Sequence, residues 1–163
     1  MRATTRILLA AWSLIAATAQ AAAPREIDWL ELMPPEDLKA IESMGEINHD
    51  GGVDLESALT SARTVAAVDG IKGKLPGYMV PVAFDDQGRV TELFLVPYFG
   101  ACIHVPPPPP NQIVYIKPSK PVAAGEIWDA YWAIGTLHIA STQNDMAHSA
   151  YSMDLDKLEI VTE

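Results

Sequence analysis

The sequence predicts a mainly β fold of the α+β class, a small β-barrel or sandwich preceded by one short helix. Runs of β-branched and aromatic residues, separated by polar and glycine-containing turns, recur from residue 75 to the end of the chain. The one clear apolar stripe with helical spacing is short and lies before residue 46. The 163 residues suffice for one ordinary hydrophobic core.

The first 21 residues have the pattern of a secretory signal peptide. Arg2 and Arg6 precede the apolar run Ile7–Ala17, and Ala19-Gln20-Ala21 supplies a small-x-small cleavage site. The apolar run is short for a membrane span, although an uncleaved anchor helix is the alternative. We therefore expect a periplasmic protein in which residues 22–163 form a single globular domain.

The N-terminal helix is predicted to begin near Pro35. Prolines and acids occupy its first turn, Leu38 and Ile41 form the apolar stripe, and Gly45 favours its end. The alanine-rich residues 55–68 fit a helix or a strand equally well.

Two strands, residues 77–84 and 90–96, form a predicted hairpin around a turn at residues 85–88. Pro81 indicates a sheet edge or a bulge in the first of them.

Later strands are expected at residues 112–116 and 127–139, with a polar loop at residues 142–148. Residues 151–155 and 158–161 are expected to close the chain as one strand or as two. Gly135 indicates a bend or bulge in the longest of these strands.

The chain is acidic. Its formal net charge is −10, and loss of Arg2 and Arg6 with the leader changes it to −12. This charge argues against nucleic acids and anionic membrane surfaces as partners, and it suits a protein that attracts cations.

The candidate chemistry lies at Cys102 and His104, the only cysteine and one of four histidines. On an extended strand, side chains at i and i+2 point to the same face, about 7 Å apart at Cα. A thiolate and an imidazole in this arrangement can hold a transition metal such as zinc. The alternatives are a buried, inert cysteine and a reactive thiol; motifs for hydrolases, zinc peptidases and phosphate loops do not occur.

A zinc site needs further ligands. His148 is preferred because a loop can reach over a site, and His49, in an acidic turn, comes next. His138 is predicted to lie on a strand.

Five prolines, Pro106, Pro107, Pro108, Pro109 and Pro110, follow at once and lead into Asn111 and Gln112. A polyproline II segment of this length spans about 15 Å. It is interpreted as a rigid connector to the next strand, or alternatively as an exposed rod that docks on a partner protein.

The segments Pro76–Pro81, Leu93–Gln112 and Ile134–Leu137, above all the Cys-Ile-His-Val-Pro motif, resemble the secreted bacterial family called domain of unknown function 3299. The resemblance covers essentially the whole of residues 22–163. It implies an OB-like barrel, a secreted or periplasmic location, and an association with zinc homeostasis and a partner ABC transporter. We therefore expect a non-enzymatic metal-binding accessory protein, or a metal-free module that docks on a membrane complex through its prolines.

Overall fold

The computed structural model of the protein describes residues 23–42, 55–101, 107–126 and 128–162. Their helices are α1 (Pro35–Glu42) and α2 (Leu55–Leu59), with short 3-10 turns at Trp29–Leu32, Ala66–Val68 and Pro110–Gln112. Their strands are β1 (Arg25–Glu26), β2 (Lys72–Phe84), β3 (Val90–Val96), β4 (Val114–Ile116), β5 (Ala130–Gln143) and β6 (His148–Ile160).

Strands β2 to β6 close into a barrel. The sheet order is β1-β2-β3-β4-β6-β5, and β2 also pairs with β5. All barrel pairings are antiparallel except β4–β6, which is parallel. This order is that of an OB-type Greek-key barrel, so the expected OB-like fold with a short N-terminal helix is confirmed.

The first half of β2 pairs with β5 and the second half with β3, and Tyr78 has a partner on both sides. The strand must therefore curve from one part of the barrel to the other. The pairing with β3 shifts register after Pro81, which confirms the bulge predicted there.

Gly135 lies at a register shift between β5 and β6. A Cβ atom at this position would collide with the backbone oxygen of Asp154. The bulge predicted at Gly135 is confirmed, and its cause is the close approach of two backbones.

The barrel interior is filled by alternating residues of the five strands. The N-terminal residues Ile27, Trp29 and Leu32 pack into the same core, so the segment before α1 closes part of the barrel. The strand residues of this core are Leu75, Met79, Val90, Leu93, Leu95, Val114, Ile116, Tyr131, Ala133, Leu137, Ala150, Tyr151 and Met153.

A second apolar cluster, here called the outer cluster, consists of Phe94, Val96, Ala101 and Ile113. Phe94 and Val96 alternate along β3 with the core residues Leu93 and Leu95, so they point away from the barrel interior. Both are nevertheless fully buried, because apolar residues of the β3–β4 connection, Ala101 and Ile113, pack in the same cluster.

Two sequence-based boundaries were wrong. Residues 148–160 form one continuous strand, which begins at His148 and not at the expected residue 151. The polar loop is confined to residues 144–147, because pairing of Gln143 with His148 extends the β5–β6 hairpin almost to its tip.

Candidate functional site

Most of the candidate residues, namely Cys102, His104, the five prolines, Asn111 and Gln112, belong to the connection between β3 and β4, residues 97–113. Cys102, His104 and Pro106 lie outside the described residues, as does His49. The described chain on either side is anchored: Ala101 is buried in the outer cluster, and Pro108 is buried as well.

The described prolines are mostly packed against the protein. Pro107 is exposed, Pro108 is buried, and Pro109 and Pro110 are partly buried. Pro110 opens the 3-10 turn Pro110–Gln112, where its fixed φ angle suits the first helical position. This arrangement favours the interpretation of the run as a rigid connector.

Asn111 and Gln112, named above as candidate partner contacts, point into the protein. The Asn111 amide donates to Asp37 Oδ2 (3.0 Å) and to the Arg63 carbonyl oxygen (3.2 Å), and its backbone N–H donates to the Ser61 carbonyl oxygen (3.1 Å). The Gln112 amide donates to the Trp29 carbonyl oxygen at 2.9 Å.

The buried residues Asp37, Ser61 and Asn111, together with the partly exposed Arg63, form a polar group, here called the Asn111 node. The fully buried Asp37 carboxylate accepts hydrogen bonds from the Arg63 guanidinium and the Asn111 amide. Ser61 Oγ accepts from the backbone and side chain of Arg63. Among the described residues, Asn111 Oδ1 has no hydrogen-bond partner although it is buried. The node fixes the last proline to α1 and to the chain after α2.

Tyr151 makes a second polar connection to the N-terminal segment. Its hydroxyl donates to the Leu32 carbonyl oxygen (2.9 Å) and accepts from the Val65 N–H (2.7 Å). Burial raises the pKa of this hydroxyl above its ordinary value. The phenol therefore stays protonated and able to donate at neutral pH.

The sequence did not single out Asp37, Ser61 or Arg63 as members of a site. Asp37 resembles an ordinary acid in the first turn of a helix, where the helix dipole alone accounts for its presence. Its burial depends on Arg63 and Asn111, which are 26 and 74 residues away along the chain.

His148 is the first residue of β6, not part of a loop as expected. Its Nε2 lies 2.8 Å from Ser141 Oγ on the paired strand β5. The adjacent Ala147 packs against the outer cluster, which contains Ala101, the residue before Cys102. The residues before His148 and before Cys102 therefore meet at the same apolar cluster.

His138 lies on β5, as predicted, and is held by two acids. Its Nε2 is 3.2 Å from Asp154 Oδ2, and its Nδ1 is 3.9 Å from Asp69 Oδ1. The carboxylates lie on opposite sides of the ring, so the two nitrogens are directed to different groups. Within the described parts of the chain, no three His, Cys, Asp or Glu side chains are grouped to hold a metal ion.

Comparison with known proteins identifies the family. The family model "Protein of unknown function (DUF3299)" matches residues 29–160. The chain belongs to the DUF3299 family. A crystal structure of a DUF3299 family protein from Pseudomonas aeruginosa PAO1 is similar, with 38% sequence identity and a TM-score of 0.68. The match covers 86% of this chain and 98% of that one.

No match was found among proteins of curated function. In the described portion of this DUF3299 chain, none of the helices combines the length and apolar character needed to cross a membrane.

Proposed function

We propose that this DUF3299 protein is a non-enzymatic metal-binding accessory protein, with Cys102, His104 and His148 as ligands and zinc as the metal. The observation that carries the proposal is the shared outer cluster. Ala101 belongs to it and Ala147 packs against it, so the residues that precede Cys102 and His148 contact one apolar group.

The surroundings of His148 suit a metal ligand. A ligating imidazole commonly donates its other ring N–H to a fixed acceptor, which sets the tautomer and orientation. Ser141 Oγ, 2.8 Å from Nε2, can accept such a bond. Nδ1 would then carry the lone pair for the metal. His49 is the alternative further ligand.

The anchors on both sides of the Cys-x-His segment also support the proposal. Ala101 is buried on one side, and Pro108 together with the Asn111 node fixes the other. Fixed ends reduce the conformational entropy that a loop loses when it folds around a metal. The acidic chain adds a general attraction for cations.

A periplasmic location and a role beside an ABC transporter complete the proposal. The location rests on the basic, apolar and small-residue pattern of the first 21 residues. Docking of a metal-free protein through the proline segment is the alternative function. Among the described residues of that segment, Pro107 is the most exposed, and the Asn111 and Gln112 side chains are buried.

The decisive experiment is a competitive zinc titration of the metal-stripped protein without a histidine tag. We expect binding of one zinc per chain, at least tenfold weaker binding for Cys102→Ala and His104→Ala, and a clear weakening for His148→Ala. His138→Ala is the matched control because this imidazole is held by Asp69 and Asp154. Absence of stoichiometric zinc binding refutes the proposal.

A separate measurement addresses the docking alternative. Replacement of Pro107 and Pro109 by alanine removes the stiffness of the proline segment while Pro108 stays in place. If a membrane partner is lost in pull-downs by this variant and retained by Cys102→Ala, docking through the prolines is supported instead.

A further inference from the structure

A groove of about 220 Å³ crosses the outer surface of β4, β6 and β5. One of its lining residues, Tyr115, also packs against the outer cluster. The three strands meet at Ser152 of β6. This residue pairs with Tyr115 of the parallel strand β4 and with His138 of the antiparallel strand β5. The groove is lined by Tyr115, Lys117, Ala140, Thr142, Ser152, Met153 and Asp154.

Both charged side chains that line the groove have a hydrogen-bonding neighbour. Lys117 Nζ lies 2.7 Å from Glu92 Oε1, and Asp154 Oδ2 lies 3.2 Å from His138 Nε2. The hydrogen bond with Lys117 lowers the pKa of Glu92, and the same bond raises the pKa of Lys117. This pair therefore stays ionised throughout the neutral range.

Both charged groups keep unused hydrogen-bonding capacity. An ammonium has three N–H donors and a carboxylate has two oxygens, whereas each of these groups has one side-chain partner among the described residues. Thr142 and Ser152 add hydroxyls, which both donate and accept, and Tyr115 adds a phenol. The groove thus combines donors and acceptors of both kinds, and its one cation among the described residues, Lys117, is neutralised by Glu92.

We propose that this groove binds a neutral saccharide of one or two sugar rings. Neighbouring sugar hydroxyls can accept from Lys117 and donate to Asp154 without bringing a charge. An anion would face Asp154 and Glu92, and a cation would face Lys117, so either kind of ion meets repulsion as well as attraction. The volume is below that of typical pockets for drug-sized ligands, which favours a short ligand.

The fold and the charge of the chain agree with this choice. OB-type barrels bind oligonucleotides and oligosaccharides around their second and third strands, and β4, the third strand of this barrel, borders the groove. An oligonucleotide requires a basic surface, and this chain has a net charge of −10. A neutral glycan is therefore the better ligand class of the two. The inference does not depend on zinc binding.

The test is an NMR titration of the metal-stripped protein with maltose, cellobiose and diacetylchitobiose, each measured separately. We expect saturable shifts at groove residues for at least one disaccharide, with a Kd on the order of 1 mM. Asp154→Asn and Lys117→Ala should each weaken binding roughly tenfold, since each removes a charge-assisted hydrogen bond.

Two controls keep the experiment falsifiable. Asp156→Asn alters an exposed acid of the same strand that pairs with Lys72 and does not line the groove, so it should leave binding unchanged. Glycylglycine and inorganic phosphate test charged ligands. Non-saturable shifts with all three disaccharides, equal effects of the Asp154 and Asp156 variants, or tighter binding of a charged probe would each overturn the proposal.

Discussion

The Asn111 node makes a quantitative prediction for Asp37. The Asp37→Ala variant removes a fully buried carboxylate that accepts from Arg63 and Asn111. Hydrogen bonds to a charged group contribute about 1.5–3 kcal/mol each. The loss of both hydrogen bonds sets an upper limit on the decrease in unfolding free energy, because both donors can find other acceptors in the variant.

The structure indicates how far that limit must be lowered. The Arg63 side chain is 49% exposed, so water can solvate the guanidinium once its partner is gone. The Asn111 amide keeps the Arg63 carbonyl oxygen as an acceptor at 3.2 Å. The expected loss is therefore roughly 2–3 kcal/mol of unfolding free energy. For a chain of this length, it corresponds to a decrease in Tm of roughly 4–12 °C.

Urea unfolding followed by circular dichroism measures this loss, and Glu36→Ala provides the matched control. Glu36 precedes Asp37 in the same helical turn, and its carboxylate lies 3.8 Å from the same guanidinium, but its side chain is 57% exposed. Its replacement should cost no more than about 0.5 kcal/mol. If both variants lose the same unfolding free energy, the buried hydrogen bonds of Asp37 contribute no more to stability than the exposed ion pair of Glu36.

Three further predictions follow from other contacts. Tyr151→Phe removes the hydroxyl that connects two N-terminal backbone groups to β6, and should cost about 2–4 kcal/mol in urea unfolding. Gly135→Ala should destabilise by more than about 1 kcal/mol, because the new methyl group meets the paired backbone; a neutral result would mean that the bulge adapts. The hydrogen bond with Lys117 lowers the Glu92 pKa, so Glu92→Gln should be less stable than the parent by up to about 1 kcal/mol at pH 7. This difference in stability should disappear as the pH falls through the Glu92 pKa, below 4.5.

The sequence predicted the parts of this fold that depend on local pattern. The first hairpin, the bulges at Pro81 and Gly135 and the helix after Pro34 follow from alternation, turn residues and the special backbone of proline and glycine. The start of β6 was missed because the polar residues 142–148 resemble a loop, while pairing between β5 and β6 holds Thr142, Gln143 and His148 in strands.

The buried polar contacts were beyond the reach of local pattern. Asn111 and Gln112 follow five prolines in a segment that reads as exposed, yet both side chains are buried by partners far away in sequence. The OB-like topology itself was expected from the family resemblance and not from strand periodicity, because periodicity does not determine which strands pair.

Both described ends of the β3–β4 connection are held by the rest of the protein, which bears on the proposed metal site. A loop of 17 residues without anchors would lose much conformational entropy on ordering around a ligand. Here Ala101 is held by the outer cluster, and Asn111 is held by Asp37 and Arg63, so fewer residues separate the fixed points. If Asp37→Ala weakens zinc binding while His138→Ala does not, the node acts on the Cys-x-His segment through its anchored end; if zinc affinity is unchanged, the segment is ordered by the metal alone.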